Sequence, residues 1–141
     1  MAGSNQVLRQ VLNLLTKGSG FDQVMSKMRL ISGGDGKCQC ELTVEEEHTN
    51  RGGTLHGGMT ATLVDSVSTV ALMTTGPGLP GVSVDMNVTF MKSAKIGDDV
   101  IIDASTLKVG KTLAFLNVDL KLKKDGSLIA QGRHTKYLGN S

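Results

Sequence analysis

Residues 56–75, HGGMTATLVDSVSTVALMTT, constrain this chain more than any other stretch. At about 100° per residue, Met59, Leu63, Val67 and Val70 fall on one apolar stripe, which predicts a helix over about 57–75 lying on a core. The opposite face collects Gly58, Ala61, Thr62, Asp65 and Thr69. A solvated helix face normally carries Lys, Glu or Arg, whereas this one holds one carboxylate among small neutral groups. Such a face is read as packing against another helix, another chain or a ligand. His56 and Asp65 are the only titratable side chains between Arg51 and Asp85.

The start of this helix carries a second signal. Asn50-Arg-Gly-Gly-Thr-Leu-His56-Gly57-Gly58 is a glycine-rich lead-in that lets backbone approach a ligand closely. The N–H groups of a first helical turn have no internal partners, and the macrodipole favours negative charge there. That end suits an oxyanion site for acyl transfer. Gly57 and Asp65 stand about 12 Å apart along an ideal helix, so Asp65 cannot reach a carbonyl held at Gly57 of its own helix. If both act on one substrate, a second helix runs alongside in the opposite sense, most simply from a two-fold-related chain.

The chain of 141 residues is read as a single domain, 1–141. A net charge of +2 and 3% aromatics, with no Trp, argue against a nucleic-acid binder or a base-stacking site. Cys38 and Cys40 share one face of a strand, a poor geometry for a structural disulfide, and no further ligand stands at metal-site spacing. No metal site is therefore expected. No leader with a basic region and apolar core is visible, and residues 59–73 are too polar and short to span a bilayer, which points to a cytoplasmic protein without membrane insertion. The absence of acidic residues before Asp22 leaves a mitochondrial targeting helix as an alternative.

Around the central helix the order is helix, short helix, two strands, then four strands. Val7, Leu8, Val11, Leu12 and Leu15 predict a packing helix over about 5–17, with Ser4 as N-cap and Gly18 as stop. Phe21–Met28 reads as a short helix. Strands at 28–33 and 36–45 form a hairpin around Gly33-Gly34-Asp35-Gly36. Residues 82–90 alternate, with Val82, Val84, Met86, Val88 and Phe90 opposite Ser83, Asp85, Asn87 and Thr89; residues 114–122 do the same. Strands at 99–108 and 128–138 complete the set. Gly76-Pro-Gly-Leu-Pro-Gly81 spells a dinucleotide fingerprint but leaves a helix for a strand, the reverse of the required context. Lys111-Thr112 lacks the earlier glycine of a phosphate loop. One apolar helix with a long, largely antiparallel sheet implies an α+β wrap.

The stretches EEEHTN, TLHGG, TATLVD, PGVSVDMN, GKTLAF and AQGRHTK span most of the chain and resemble the hot-dog fold thioesterases. The resemblance implies a curled antiparallel sheet around one long central helix, and an acyl-coenzyme A thioesterase acting on medium-to-long fatty acyl chains. It also implies a homotetramer built as a dimer of dimers, with active sites between paired subunits. Coenzyme A would be part of the substrate, and no separate cofactor is expected. By resemblance, the Gly57 N–H and Asn50 polarise the thioester carbonyl, Asp65 and Ser83 of the neighbouring chain activate water, and His56 shapes the site. Lys92 and Lys95 in one loop, with Lys108, Gly110 and Lys111 in another, would meet the nucleotide phosphates.

Each residue also has a plainer reading. Asp65 can be satisfied by nearby hydroxyls, His56 can cap the loop, and Asn50 suits a turn. Strict alternation puts Ser83 on the polar side of its strand, so reaching Asp65 requires a bulge or a bend where the strand begins. The rival functions are a hot-dog hydratase or dehydratase with His56 as base, and a non-catalytic acyl-CoA-binding protein.

Overall fold

The computed structural model describes residues 2–139. Helix α1 (Ala2–Thr16) and a 3-10 turn (Gly20–Met25) precede a hairpin of β1 (Arg29–Gly34) and β2 (Lys37–Thr43). A second 3-10 turn (Glu46–His48) leads to α2 (Gly57–Met73), followed by β3 (Val82–Phe90), β4 (Asp99–Val109), β5 (Leu113–Leu122) and β6 (Leu128–Tyr137). The six strands form one sheet in the order β1-β2-β4-β5-β6-β3, and every neighbouring pair is antiparallel. This is the α+β wrap expected, with α2 on the inner face. No described helix is long and apolar enough to cross a membrane.

One detail of α1 differs from expectation. The helix begins at Ala2, which puts Ser4 inside the first turn instead of at the N-cap position. Leu8 and Leu12 are buried, whereas the side chains of Val7 and Leu15 lie outside the described set.

The stripe read from the sequence is the buried face of α2: Met59, Leu63, Val67 and Val70 join Val64 and Ala71 in the core. They pack on Cys38, Cys40 and Leu42 of β2, Val100, Ile102 and Ala104 of β4, and inward residues of β5 and β6. The polar residues that accompany them are satisfied locally. Thr62 and Thr69 donate to the carbonyls of Gly58 and Asp65, both at 2.7 Å. Glycine at 132 is required by close approach, because a Cβ there would lie 2.7 Å from Val64 Cγ1. The sheet sits that near to the helix only because β6 has no side chain at this point.

The alternation of β5 buries Ala114, Leu116, Val118 and Leu120, as its pattern demands. The equally regular alternation of β3 does not bury its apolar set: Val82, Val84 and Phe90 are 67%, 61% and 60% exposed. The cause is strand order. β3 is carried by α2 to the far edge of the sheet, where it pairs only with β6 and its other edge is free.

Candidate active site

The loop 46–56 is built to present the first turn of α2. His48 is buried; its Nδ1 accepts from the Glu45 N–H at 3.0 Å, and its carbonyl accepts from the His56 N–H at 2.9 Å. Thr49 bridges Leu55, and Thr54 bridges Lys95. Asn50 closes the turn: its Oδ1 accepts from the Gly52 N–H at 2.9 Å, and its Nδ2 donates to Thr54 Oγ1 at 2.9 Å. The turn role is therefore real, yet an amide nitrogen carries two hydrogens, and Thr54 takes only one.

His56 is the N-cap of α2. Its backbone is extended (φ −65°, ψ 137°), and Nδ1 accepts from the Gly58 N–H at 2.8 Å. An accepting Nδ1 places the proton of the neutral ring on Nε2. The Gly57 N–H, one residue earlier, has no partner among the described residues. The ring of Phe90 borders it, 3.6 Å from where a Cβ on Gly57 would stand. A recess of about 230 Å³ opens beside this turn, walled by Phe21, Val24, His48, His56 and Met59.

Asp65 lies two turns further along the same unbroken helix, its side chain 52% exposed. The geometry that separates it from Gly57 by about 12 Å therefore holds within one chain. Beside it stands His134 of β6, 1% exposed, with Nε2 3.9 Å from Asp65 Oδ1. Both ring nitrogens are bonded: Nδ1 to Ser68 Oγ at 2.8 Å and Nε2 to Ser83 Oγ at 2.7 Å.

Ser83 reaches this position through a register shift in β3. Met86 pairs with His134 and Asp85 with Thr135, but the next pair is Ser83 with Lys136. One residue is looped out, and Ser83 turns to the inner face that strict alternation would have given to Val84. Lys136 is also buried on that face and donates to Thr69 Oγ1 at 2.7 Å. Burial lowers its pKa and that of His134, and the Asp65 charge opposes both shifts.

The structure thus brings Asp65, Ser83, His134 and Lys136 together at one place, with Gly57, His56 and Asn50 at another. The sequence reading does not single out His134. Its signal is the alternation of β6, where Ala130, Gly132, His134 and Lys136 share the inner face, so that a histidine there is buried and needs partners.

The loop lysines are also divided. Lys92 donates to Ser127 Oγ at 3.1 Å, and Lys95 is exposed in the connection that meets the start of α2, where the Leu55 N–H donates to the Ala94 carbonyl. Lys108, Gly110 and Lys111 form the β4–β5 hairpin. That hairpin lies at the other end of α2: a Cβ on Gly76 would stand 3.2 Å from Val109 Cγ1. A helix of 17 residues is about 25 Å long, so one chain does not gather the two groups around one ligand. Cys38 and Cys40 are buried with their sulfurs 3.8 Å apart, and the mutual contact and burial hold the Cys40 thiol neutral.

A curled antiparallel sheet round one helix, with a glycine-led helix start and an acid two turns on, is the frame of a hot-dog thioester hydrolase. Residues 52–129 match the profile of the thioesterase superfamily, and the chain belongs to that family. Human acyl-coenzyme A thioesterase 13 is 59% identical over 140 residues, covering 99% of this chain and 100% of that one. The crystal structure of zebrafish thioesterase superfamily member 2 superposes with a TM-score of 0.92 at 58% identity, over 95% of this chain and 97% of that one. A Streptococcus mutans protein solved with acetyl CoA is 25% identical, with a TM-score of 0.74 over 79% and 89% of the two chains.

Proposed function

We propose that this thioesterase hydrolyses medium-to-long fatty acyl-CoA to free acid and coenzyme A at a site shared by two copies of the chain. The observation that carries the reading is the separation along α2: the free Gly57 N–H and the exposed Asp65 serve one substrate only across two antiparallel helices. The edge of β3 supplies the means. Val82, Val84, Met86 and Phe90 are exposed on a strand whose outer edge is unpaired, which suits antiparallel pairing with a second copy. The same pairing sets the start of one helix beside the end of its mate, so that Lys92 and Lys95 of one copy face Lys108, Gly110 and Lys111 of the other. These groups would meet the phosphates of coenzyme A. A second, back-to-back association of two such pairs gives a homotetramer.

In this site the carbonyl oxygen lies between the Gly57 N–H and the second hydrogen of Asn50 Nδ2, with His56 holding the turn. Asp65 and Ser83 of the partner subunit hold water against the carbonyl carbon. With Asp65 as base, water loses a proton to the carboxylate as its oxygen bonds to carbon. The C–S bond then breaks, and coenzyme A leaves as thiolate and takes up a proton. With Asp65 as nucleophile, a carboxylate oxygen bonds to the acyl carbon, the C–S bond breaks and coenzyme A leaves as thiolate, and water then cleaves the mixed anhydride to the free acid and the restored carboxylate. Human acyl-coenzyme A thioesterase 13 and the acetyl-CoA-bound S. mutans protein support acyl-CoA as the substrate class.

The test is thiol release from a panel of acyl-CoAs by wild type and Asp65→Asn. Wild-type turnover with near-complete loss in the variant is expected; nearly full activity in the variant refutes the assignment. Single-turnover hydrolysis in labelled water separates the two routes, since label in Asp65 marks an anhydride.

A further inference from the structure

The imidazole of His134 takes no part in the reaction as set out above, yet it is buried, bonded at both nitrogens, and placed between Ser83 and α2. Hydrogen accounting gives it a direction. The Ser68 hydroxyl has one hydrogen and two partners: the Asp65 carbonyl at 3.1 Å, which only accepts, and Nδ1 of His134 at 2.8 Å, which accepts or donates with the tautomer. Both contacts are satisfied together only when the hydroxyl hydrogen goes to the carbonyl and Nδ1 carries a hydrogen of its own. A neutral ring protonated at Nδ1 has a bare Nε2. At 2.7 Å from that nitrogen, the Ser83 hydroxyl is the donor.

The consequence falls on the water-binding side. A Ser83 hydroxyl whose hydrogen is committed to Nε2 has only lone pairs to offer elsewhere. Asp65 Oδ1, 3.9 Å from the same Nε2, is likewise an acceptor. Two acceptors side by side take both hydrogens of one water and turn its own lone pair outward, toward an electrophile. A Ser83 hydroxyl free to rotate would instead donate to that water for part of the time and occupy the lone pair that must attack. Burial favours the neutral ring, which preserves the bare Nε2.

We propose that His134 is a positioning residue: held as the Nδ1–H tautomer by Ser68, it fixes the Ser83 hydroxyl as a donor to Nε2, so that Ser83 and Asp65 together orient the attacking water. The proposal rests on the hydrolase reading given above, and it adds a residue and a tautomer to it. It also explains a feature of the fold, because the register shift in β3 is what brings Ser83 within reach of Nε2.

Two measurements test it. The first uses the wild-type protein: the ¹⁵N shifts of His134 are expected to show Nδ1 protonated and Nε2 bare, the minor neutral tautomer of a free histidine side chain. A ring protonated at Nε2 overturns the proposal. The second uses variants that split the two contacts. A glutamine amide reaches the Nε2 position and keeps a partner for Ser83, whereas an asparagine amide reaches only the Nδ1 position and keeps a partner for Ser68. His134→Asn is expected to lower kcat by roughly 10- to 100-fold at unchanged KM, as misplacement of a reacting group does. His134→Gln should retain most of the activity. In a Ser83→Ala background, His134→Asn should cost little more, because its effect passes through Ser83. A merely structural role predicts the reverse order of the two variants, or additive losses, and either result refutes the proposal. Wild-type protein that releases no thiol overturns this proposal and the hydrolase reading together; an active wild type with His134→Asn at wild-type kcat overturns this one alone.

Discussion

Gly57→Pro isolates the contribution of a single hydrogen. Position 57 is the first residue of α2, where proline is favoured because its missing N–H has no helical partner to lose. Proline also asks its predecessor for an extended backbone, and His56 already has φ −65° and ψ 137°. The nearest neighbour of an added Cβ is the Phe90 ring at 3.6 Å, an ordinary contact. The substitution therefore removes the donor and leaves helix, cap and packing in place. Loss of one oxyanion donor costs about 2.7–4 kcal/mol in the transition state, or roughly 10²- to 10³-fold in kcat. Gly57→Ala keeps the N–H and tests the added bulk by itself. The assay is thiol release from a saturating acyl-CoA, with thermal unfolding and far-UV circular dichroism as controls on the fold. Gly57→Pro with native unfolding and wild-type kcat would refute the idea that this N–H holds the carbonyl oxygen; equal losses in the proline and alanine variants would assign the effect to bulk.

Other consequences follow from packing, charge and strand order. Gly132→Ala forces a methyl to 2.7 Å from Val64 and should cost about 1–3 kcal/mol in urea unfolding; the penalty should shrink in a Val64→Ala background, and strict additivity would argue against the clash. The lowered pKa of His134 means that below pH 6.5 the unfolded chain binds its proton first. Stability should therefore fall as pH drops through 6.5 towards the folded-state value, and His134→Gln should flatten that part of the unfolding midpoint against pH. Glu41, held low by Arg29 and Lys123, adds a separate loss only below about its ordinary 4.5. Val84→Lys puts a charge on the open edge of β3 and should shift the sedimentation coefficient toward the monomer with loss of activity; an unchanged assembly would exclude that edge as the contact.

Features that depend on residues close together in the chain are legible before any fold is known. The 3.6-residue spacing of Met59, Leu63, Val67 and Val70 fixed both the existence of α2 and its buried face, and the two-residue spacing of β5 fixed which side of that strand is inward. The sequence also isolated Asp65, since one carboxylate among small residues stands out without any knowledge of the fold. The resemblance carried by short stretches across most of the chain supplied the family. Pairing between distant residues decided the rest. Ser83 takes the inner face because β3 slips by one residue against β6, and alternation within β3 predicts the opposite. His134 gains its place only when β6 is laid beside α2 and β3, so no neighbour in sequence announces it. The lysine loops are close in number but fall at opposite ends of α2, because strand order, not chain order, sets where hairpins emerge. Local periodicity records which face of an element is apolar. What that face meets is settled by register and strand order, which are properties of residues far apart along the chain.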